Sequence, residues 1–435
     1  MKRLFPVLLL LVATVTAAYG EDEYAFDERE LGAETEKKPY HVGGFAELRP
    51  VESWLNRDAS LYKLNFYDST VGERTDEYNG RVQLDGNLEY RMVGLYAKGN
   101  VGGRRDYAGN HGDATLYEGY GSLAPVDSFR VHVGKESLKW GKGYAWNPAA
   151  LFTRPKNPDE PELDLEGYYL ARFEYTRSFE GPLKTVSFTP VFLPVFTGVN
   201  EDYAPRQDLE SAAKLYLLLF DTDLDFIYSY SLSSRSRFGF DFSRNITTNI
   251  EVHGEAAYLT RVSKTVLDDS GVVSVRESAA ASFLAGIRYL NEADTTFIVE
   301  YYHNGAGRDT AVMKRQYVSI NKAYAFYEMT GDDGLLQKIS DSADTAIAKV
   351  NPMRDYAYAR ISQKDPFDIL YVTPAVTWIY NTADYSSTLS PEIVYTGVTN
   401  LELRLKALFL IGEQYSESGE KPNKTRVELR VRYSF

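Results

Sequence analysis

The residues best placed to do chemistry crowd into one stretch, Lys135 to Pro148, which reads K-E-S-L-K-W-G-K-G-Y-A-W-N-P. Trp140 and Trp146 are two of only four tryptophans in the chain, and Tyr144 lies between them. Gly141 and Gly143 permit tight backbone paths, and Asn147-Pro148 favours a turn. Pro155, Pro158 and Pro161 follow, with Asp159, Glu160, Glu162, Asp164 and Glu166 around the last two. This is the composition of a structured loop. Its aromatic rings suit a constriction or a docking surface, and equally an aromatic-girdle or loop-packing role. The acids could attract Ca²⁺, but their spacing fits no calcium loop, so a solvated face is the simpler reading.

Catalytic chemistry finds little support. The five histidines are His41, His111, His132, His253 and His303. A nucleophile needs a histidine within hydrogen-bond reach, and no G-x-S-x-G string is present. Cysteine is absent, which removes disulfides, thiolate metal sites and C-x-x-C-H haem attachment. No enzyme activity and no cofactor are expected. The net charge of -13 argues against nucleic acid as a partner.

The elements that carry these residues are strands. Lys424 to Phe435 reads K-T-R-V-E-L-R-V-R-Y-S-F, with Val427, Leu429, Val431 and Tyr433 alternating with Arg426, Glu428, Arg430 and Arg432. Period two puts the apolar set on one face and the charged set on the other. Residues 81–92 repeat the pattern: Val82, Leu84, Leu88 and Tyr90 share one face, and Arg81, Asp85, Glu89 and Arg91 the other. Met1–Gly20 has the basic start, short apolar run and small-residue end of a secretory signal peptide. No other apolar stretch is long enough to be a membrane helix. An exported chain with 34 Tyr, 22 Phe and two-faced strands is expected to be a closed transmembrane antiparallel β-barrel, since only helices and barrels satisfy their backbone in lipid. The charged faces then line a wet interior, and the apolar faces meet lipid.

Walking back from Phe435, short and long connections alternate and yield about 18 strands, within 16 to 20. The count starts at Leu61–Tyr67. His41–Arg49 is left as a plug-side segment or part of a 20-strand closure. Residues 21–40 are expected to be an acidic periplasmic tail, with the barrel over 41–435. Two long loops interrupt it, 135–167 and 305–355. The second has helix-like spacing, with Leu335, Ile339, Ala343 and Ile347 on one stripe, and suits a cap or a lumen constriction.

The terminal strand ending in Phe435 resembles the assembly signal of Gram-negative outer-membrane barrels. The string V-G-K-E-x-L-x-W-G-x-G-x-x-x-N-P resembles a strand-to-loop motif of porin-like outer-membrane barrels. The resemblance implies an outer-membrane location, recognition of Phe435 by barrel assembly machinery, and a loop folded in at the barrel's waist or mouth. Pore-lining or constriction candidates are Trp140, Tyr144 and Trp146, with Arg81, Asp85, Glu89 and Arg91 near the start. Arg404, Lys406, Arg426, Arg430 and Arg432 form a basic stripe near the end, which could attract anions or pair with acids opposite. The expected function is passive passage of small polar or charged solutes. The alternative is a sleeve for an export partner such as a multihaem cytochrome, a likeness of architecture alone.

Overall fold

The computed structural model describes residues 39–69, 71–204, 207–267, 273–343 and 350–435. The expected signal peptide and all but the last residues of the acidic tail lie outside these. From Tyr40 onward the alternating pattern folds into strands. The first six are β1 Tyr40–Leu55, β2 Arg74–Tyr90, β3 Val93–Asp106, β4 Gly109–Val126, β5 Phe129–Glu136 and β6 Tyr168–Ser178. Next come β7 Leu183–Val195, β8 Asp208–Leu219, β9 Thr222–Ser231, β10 Arg235–Asn245, β11 Ile250–Leu267 and β12 Val273–Leu290. The last are β13 Thr295–His303, β14 Asp355–Gln363, β15 Val372–Asn381, β16 Ser387–Val398, β17 Leu401–Ile411 and β18 Asn423–Ser434. Three α-helices are described: α1 Ser60–Phe66, α2 Thr310–Thr330 and α3 Gly334–Ala343.

All strands belong to one 18-stranded sheet, each antiparallel to its sequence neighbours. β18 returns to β1, with Phe45 opposite Ser434 and Leu48 opposite Val431. Phe435 and Gly44 exchange backbone hydrogen bonds of 3.0 and 3.1 Å at the seam. Closure leaves no sheet edge unpaired. The register sorts the side chains as the alternation requires. Leu84, Leu95, Phe226, Phe238 and Trp378 are exposed on the outer face. Asp225, Asp241 and Glu255 lie opposite one another on β9, β10 and β11, facing inward and buried.

Every strand expected from Arg81 onward recurs as β2 to β18, and the closed barrel of 18 strands is the fold. The first member differs. Leu61–Tyr67, read as a strand, is helix α1. Its apolar residues meet at helical spacing, and the Tyr62 and Phe66 rings lie 5.0 Å apart. A short apolar run does not separate helix from strand by periodicity alone. His41–Arg49, left aside as a plug-side segment, is the heart of β1 and closes the barrel.

Both long loops turn inward; the first is shorter than its expected bounds and the second keeps its length, displaced by one residue. β5 runs to Glu136, so the first spans 137–167. The second spans 304–354 and carries α2 and α3. On α3 the buried side chain is Leu336, while Leu335 is exposed and Ile339 half-buried. Of the expected stripe Ile339 packs on the interior cluster, Leu336 takes the place of Leu335 there, and Ile347 lies outside the described residues. No described helix is long and apolar enough to cross a membrane.

Two apolar clusters fill part of the barrel interior. One joins Leu284, Ile298, Tyr356, Tyr358 and Ile379 of β12 to β15 to Met313, Tyr317 and Ile320 of α2. The other joins Leu170, Val191, Leu193, Ala212 and Ile227 of β6 to β9 to Leu138, Trp140 and Phe152 of the first loop. Apolar packing inside the barrel is therefore concentrated over β6 to β9 and β12 to β15, with the buried carboxylates of Asp225, Asp241 and Glu255 on β9 to β11 between the two.

Candidate functional site

The loop of residues 137–167 crosses the lumen because two wall carboxylates seize its backbone. Glu255 on β11 accepts from the amides of Lys142 and Gly143, each at 2.6 Å, and of Ala149 at 2.9 Å. Glu300 on β13 accepts from the amides of Tyr144 and Ala145 and lies 2.8 Å from His253 Nε2. Both carboxylates are almost wholly buried, where hydrogen bonds to a charged group are strong. Two glycines make the approach possible. A Cβ on Gly141 would stand 2.4 Å from Asn147 Nδ2, and one on Gly143 would stand 2.0 Å from Trp146 O. Lys156 closes the loop on itself, donating to the carbonyls of Gly143 and Tyr144. Burial holds its ammonium below the ordinary lysine range.

Trp140 and Trp146 are the apolar feet of this loop. Trp140 stacks on Phe152 with centroids 6.2 Å apart. Trp146 stacks on Tyr302 at 5.2 Å and meets Tyr356 and Tyr358. Each is 6% exposed, so both indoles are turned into packing rather than towards water. Tyr144 packs beside Tyr358 and donates its hydroxyl to Glu162 at 2.8 Å; burial pushes that hydroxyl above the ordinary tyrosine range. Trp146→Ala is expected to cost about 3–5 kcal/mol of loop seating. Limited proteolysis checks this, with cleavage expected within 137–167 in the variant and intact loop in the parent.

The opposite side of the lumen is an arc of ion pairs running from β14 through the seam to β2. Arg430 reaches Glu160 at 2.5 Å and Glu428 at 3.3 Å. Arg432 holds Glu47 at 2.6 Å, and Arg81 holds it from the other side at 3.2 Å. Arg404 and Arg360 share Glu392. Lys406 donates to the Asp159 carbonyl at 2.6 Å, and Arg426 pairs with Glu428 at 2.9 Å. Arg430 is as buried as the acids, at 3%, but the outer bases of the arc lie shallower than its acids. Side-chain exposure is 5% for Glu47 and 6% for Glu428, against 33% for Arg426 and 27% for Arg81. Water in the lumen therefore meets guanidinium edges.

Glu160 ties the acidic part of the loop to this arc. Burial alone would raise its carboxyl, but Arg430, Lys406, Arg404 and Arg49 overcome that and hold it below its ordinary 4.5. A depressed folded-state value means the contact stabilises fully above the unfolded value and fades as pH falls through the folded one. The loop is expected to stay seated at neutral pH and to loosen only in acid below about pH 4. Protease susceptibility of 137–167 against pH checks this, with Glu160→Gln flattening the profile.

The expected site residues thus divide. Arg81, Arg404, Lys406, Arg426, Arg430 and Arg432 come together in one paired arc. Asp85 faces inward on β2, where Lys98 lies opposite in register. Glu89 is exposed near the end of that strand, and Arg91 lies in the exposed turn beyond it with φ 53°; neither faces the arc. Glu255 and Glu300, and with them Glu47, Arg49 and Glu392, are functional positions that do not stand among the site residues expected from the sequence. The alternation G-F-A-E-L-R over residues 44–49 is the signal that could have found Glu47 and Arg49. Beside the loop lies a cavity of about 720 Å³ bordered by Lys98, Glu118, Lys139, Lys142, Arg172 and Lys214, with acids matched among them. Among the described residues, no group of His, Asp or Glu is placed to hold a metal ion.

No protein-family model matches the chain, and no curated protein matches it. Solved structures do. OccK11 (OpdR) of Pseudomonas aeruginosa superposes with a TM-score of 0.52 at 12% identity, covering 91% of this chain and 95% of that one. OccK5 (OpdH) of the same organism gives 0.50 at 12% identity, covering 91% and 97%. At such identities the likeness is one of fold, and the fold of this chain is the closed 18-stranded barrel of porin type.

Proposed function

We propose that this chain is an outer-membrane channel through which small polar and charged solutes diffuse, with a preference for anions. The observation that carries this reading is the pairing of an apolar outer face with a charged inner arc whose accessible groups are guanidinium. A ring of like charge at a pore sets ion preference. The outer face gives the chain a lipid partner, and the seam at Phe435 gives an assembly factor its terminal strand. A sleeve around a multihaem cytochrome would require the space that residues 137–167 and α2 occupy, so the channel reading is preferred.

Proteoliposome swelling tests it. Vesicles carrying the refolded barrel are expected to swell in isotonic small amino acids and monosaccharides, faster for anionic than for cationic solutes of equal size. Swelling no faster than in protein-free vesicles would refute the channel.

A further inference from the structure

The loop of residues 137–167 leans towards one side of the lumen and leaves a cavity at the other. On the arc side Glu160 meets Arg430 at 2.5 Å, and the Asp159 carbonyl accepts from Lys406 at 2.6 Å. The open side is the cavity of about 720 Å³. Its walls come from the unbroken series of strands β3 to β9, and its end wall from Leu138, Trp140 and Lys142 of the loop. It runs from Thr176, Thr185 and Asp223, close to the short turns, up to that loop. The volume falls within the range of about 300–1,000 Å³ that small-molecule sites occupy.

The charges in this cavity are matched among themselves. Lys98 pairs with Glu118 at 3.3 Å, Arg172 with Glu136 at 2.8 Å, and Lys214 with Asp225 at 3.3 Å. As many acids as bases line the walls. An ion drawn to one member of a pair is repelled by the other. A hydroxyl group behaves differently. It donates to the carboxylate and accepts from the ammonium or guanidinium of the same pair, and the pair stays intact.

Hydroxyls and rings make up the rest of the wall. Thr185, Ser187 and Thr189 follow one another on the inner face of β7, because alternate residues of a strand share a face. Thr176 Oγ1 donates to Ser187 Oγ at 2.9 Å. Tyr96 and Tyr120 lie side by side on β3 and β4, with centroids 5.3 Å apart, and Tyr120 stacks on His132 at 4.9 Å. Tyr216 donates its hydroxyl to Asp223. These side chains are fixed before a solute arrives, which lowers the cost of binding. Rings to meet C–H faces, and paired donors and acceptors to meet hydroxyls, complement a polyhydroxylated ring.

We propose that this cavity is a binding site for uncharged polyhydroxylated solutes of one or two sugar rings. The inference rests on the channel reading and adds a second selectivity to it. The arc sorts ions by sign, and the cavity retains neutral solutes by their hydroxyls. An amino-acid zwitterion fits less well, because each of its charges must compete with a side chain that is already paired.

D-Glucose tests this on the refolded barrel, with gluconate and glucosamine as its anionic and cationic counterparts and serine as a zwitterion. Isothermal titration in detergent micelles reads binding without requiring conduction. Glucose is expected to bind, and the three charged solutes to bind several-fold more weakly. Thr185→Val and Thr189→Val each remove a hydroxyl at nearly constant volume, and the double variant is expected to lose several-fold in glucose affinity. Thr388→Val removes a buried hydroxyl on β16, outside the cavity, and is expected to keep the parental affinity. Glucose affinity no higher than that of its charged counterparts, or unmoved in the double variant, would overturn the proposal; ion conduction by the same barrel would then leave the channel reading standing. A barrel that binds glucose in this pattern and is silent in a bilayer would refute the channel reading and keep the site.

Discussion

Glu255→Leu is expected to release the lumen loop, raising single-channel conductance and open-channel noise while the barrel stays folded. The Glu255 side chain is 3% exposed and satisfies three loop amides at once. Hydrogen bonds to a charged group contribute about 1.5–3 kcal/mol each, and a buried donor left unpaired costs about 1–3 kcal/mol. Losing three together removes more than the loop's remaining polar contacts on that side supply. Glu300 still holds the amides of Tyr144 and Ala145, so the double variant with Glu300→Leu is expected to show the larger rise. Glu255→Gln keeps one acceptor oxygen and should fall between. A leucine variant with parental conductance and a quiet trace would show that the loop is held by its tryptophans alone.

Arg430→Met is expected to be the most damaging single change in the charged arc. Arg430 is 3% exposed and touches Glu160, Glu428 and Glu47. Taking one partner from a buried set leaves carboxylates uncompensated, at about 3–5 kcal/mol. The unfolding midpoint in urea should drop, and the reversal potential in a salt gradient should move towards cations. Arg74→Met is the contrast. Its pair with Glu52 spans 3.7 Å on the surface, with side chains 67% and 48% exposed, and exposed pairs contribute at most about 1 kcal/mol. Equal midpoints for the two variants would contradict the account of the arc.

The barrel was legible because a strand in lipid has a strict grammar. Val427, Leu429 and Val431 must alternate with Glu428 and Arg430 whatever lies beyond them, and that local rule repeats from residue 81 to the end. What failed was local ambiguity. The Leu61–Tyr67 run has too few residues for its period to be read, and α1 forms because Leu64 packs into the cluster of α2 while Tyr62 is buried against Leu55 and Ala59. β1 is hard to read as a strand because Gly43, Gly44 and Pro50 dilute its alternation. The site was legible as composition and not as contact. The sequence shows that residues 135–148 are structured and that 159–166 are acidic. Which carboxylates catch the loop depends on strands more than 100 residues away, and no spacing rule reaches across a barrel. The tryptophans show the same limit, because a ring at a pore mouth and a ring packed beneath a loop have one and the same sequence.

The most direct measurement is the current through single refolded barrels in a planar lipid bilayer under a salt gradient. Discrete, steady steps are expected, because five loop amides are pinned by two carboxylates and leave the loop no freedom to flicker. The reversal potential is expected on the anion side, because the guanidinium edges of the arc face the water. A barrel that is folded by circular dichroism and silent at all voltages would contradict the channel outright, and a reversal potential on the cation side would contradict the reading of the arc.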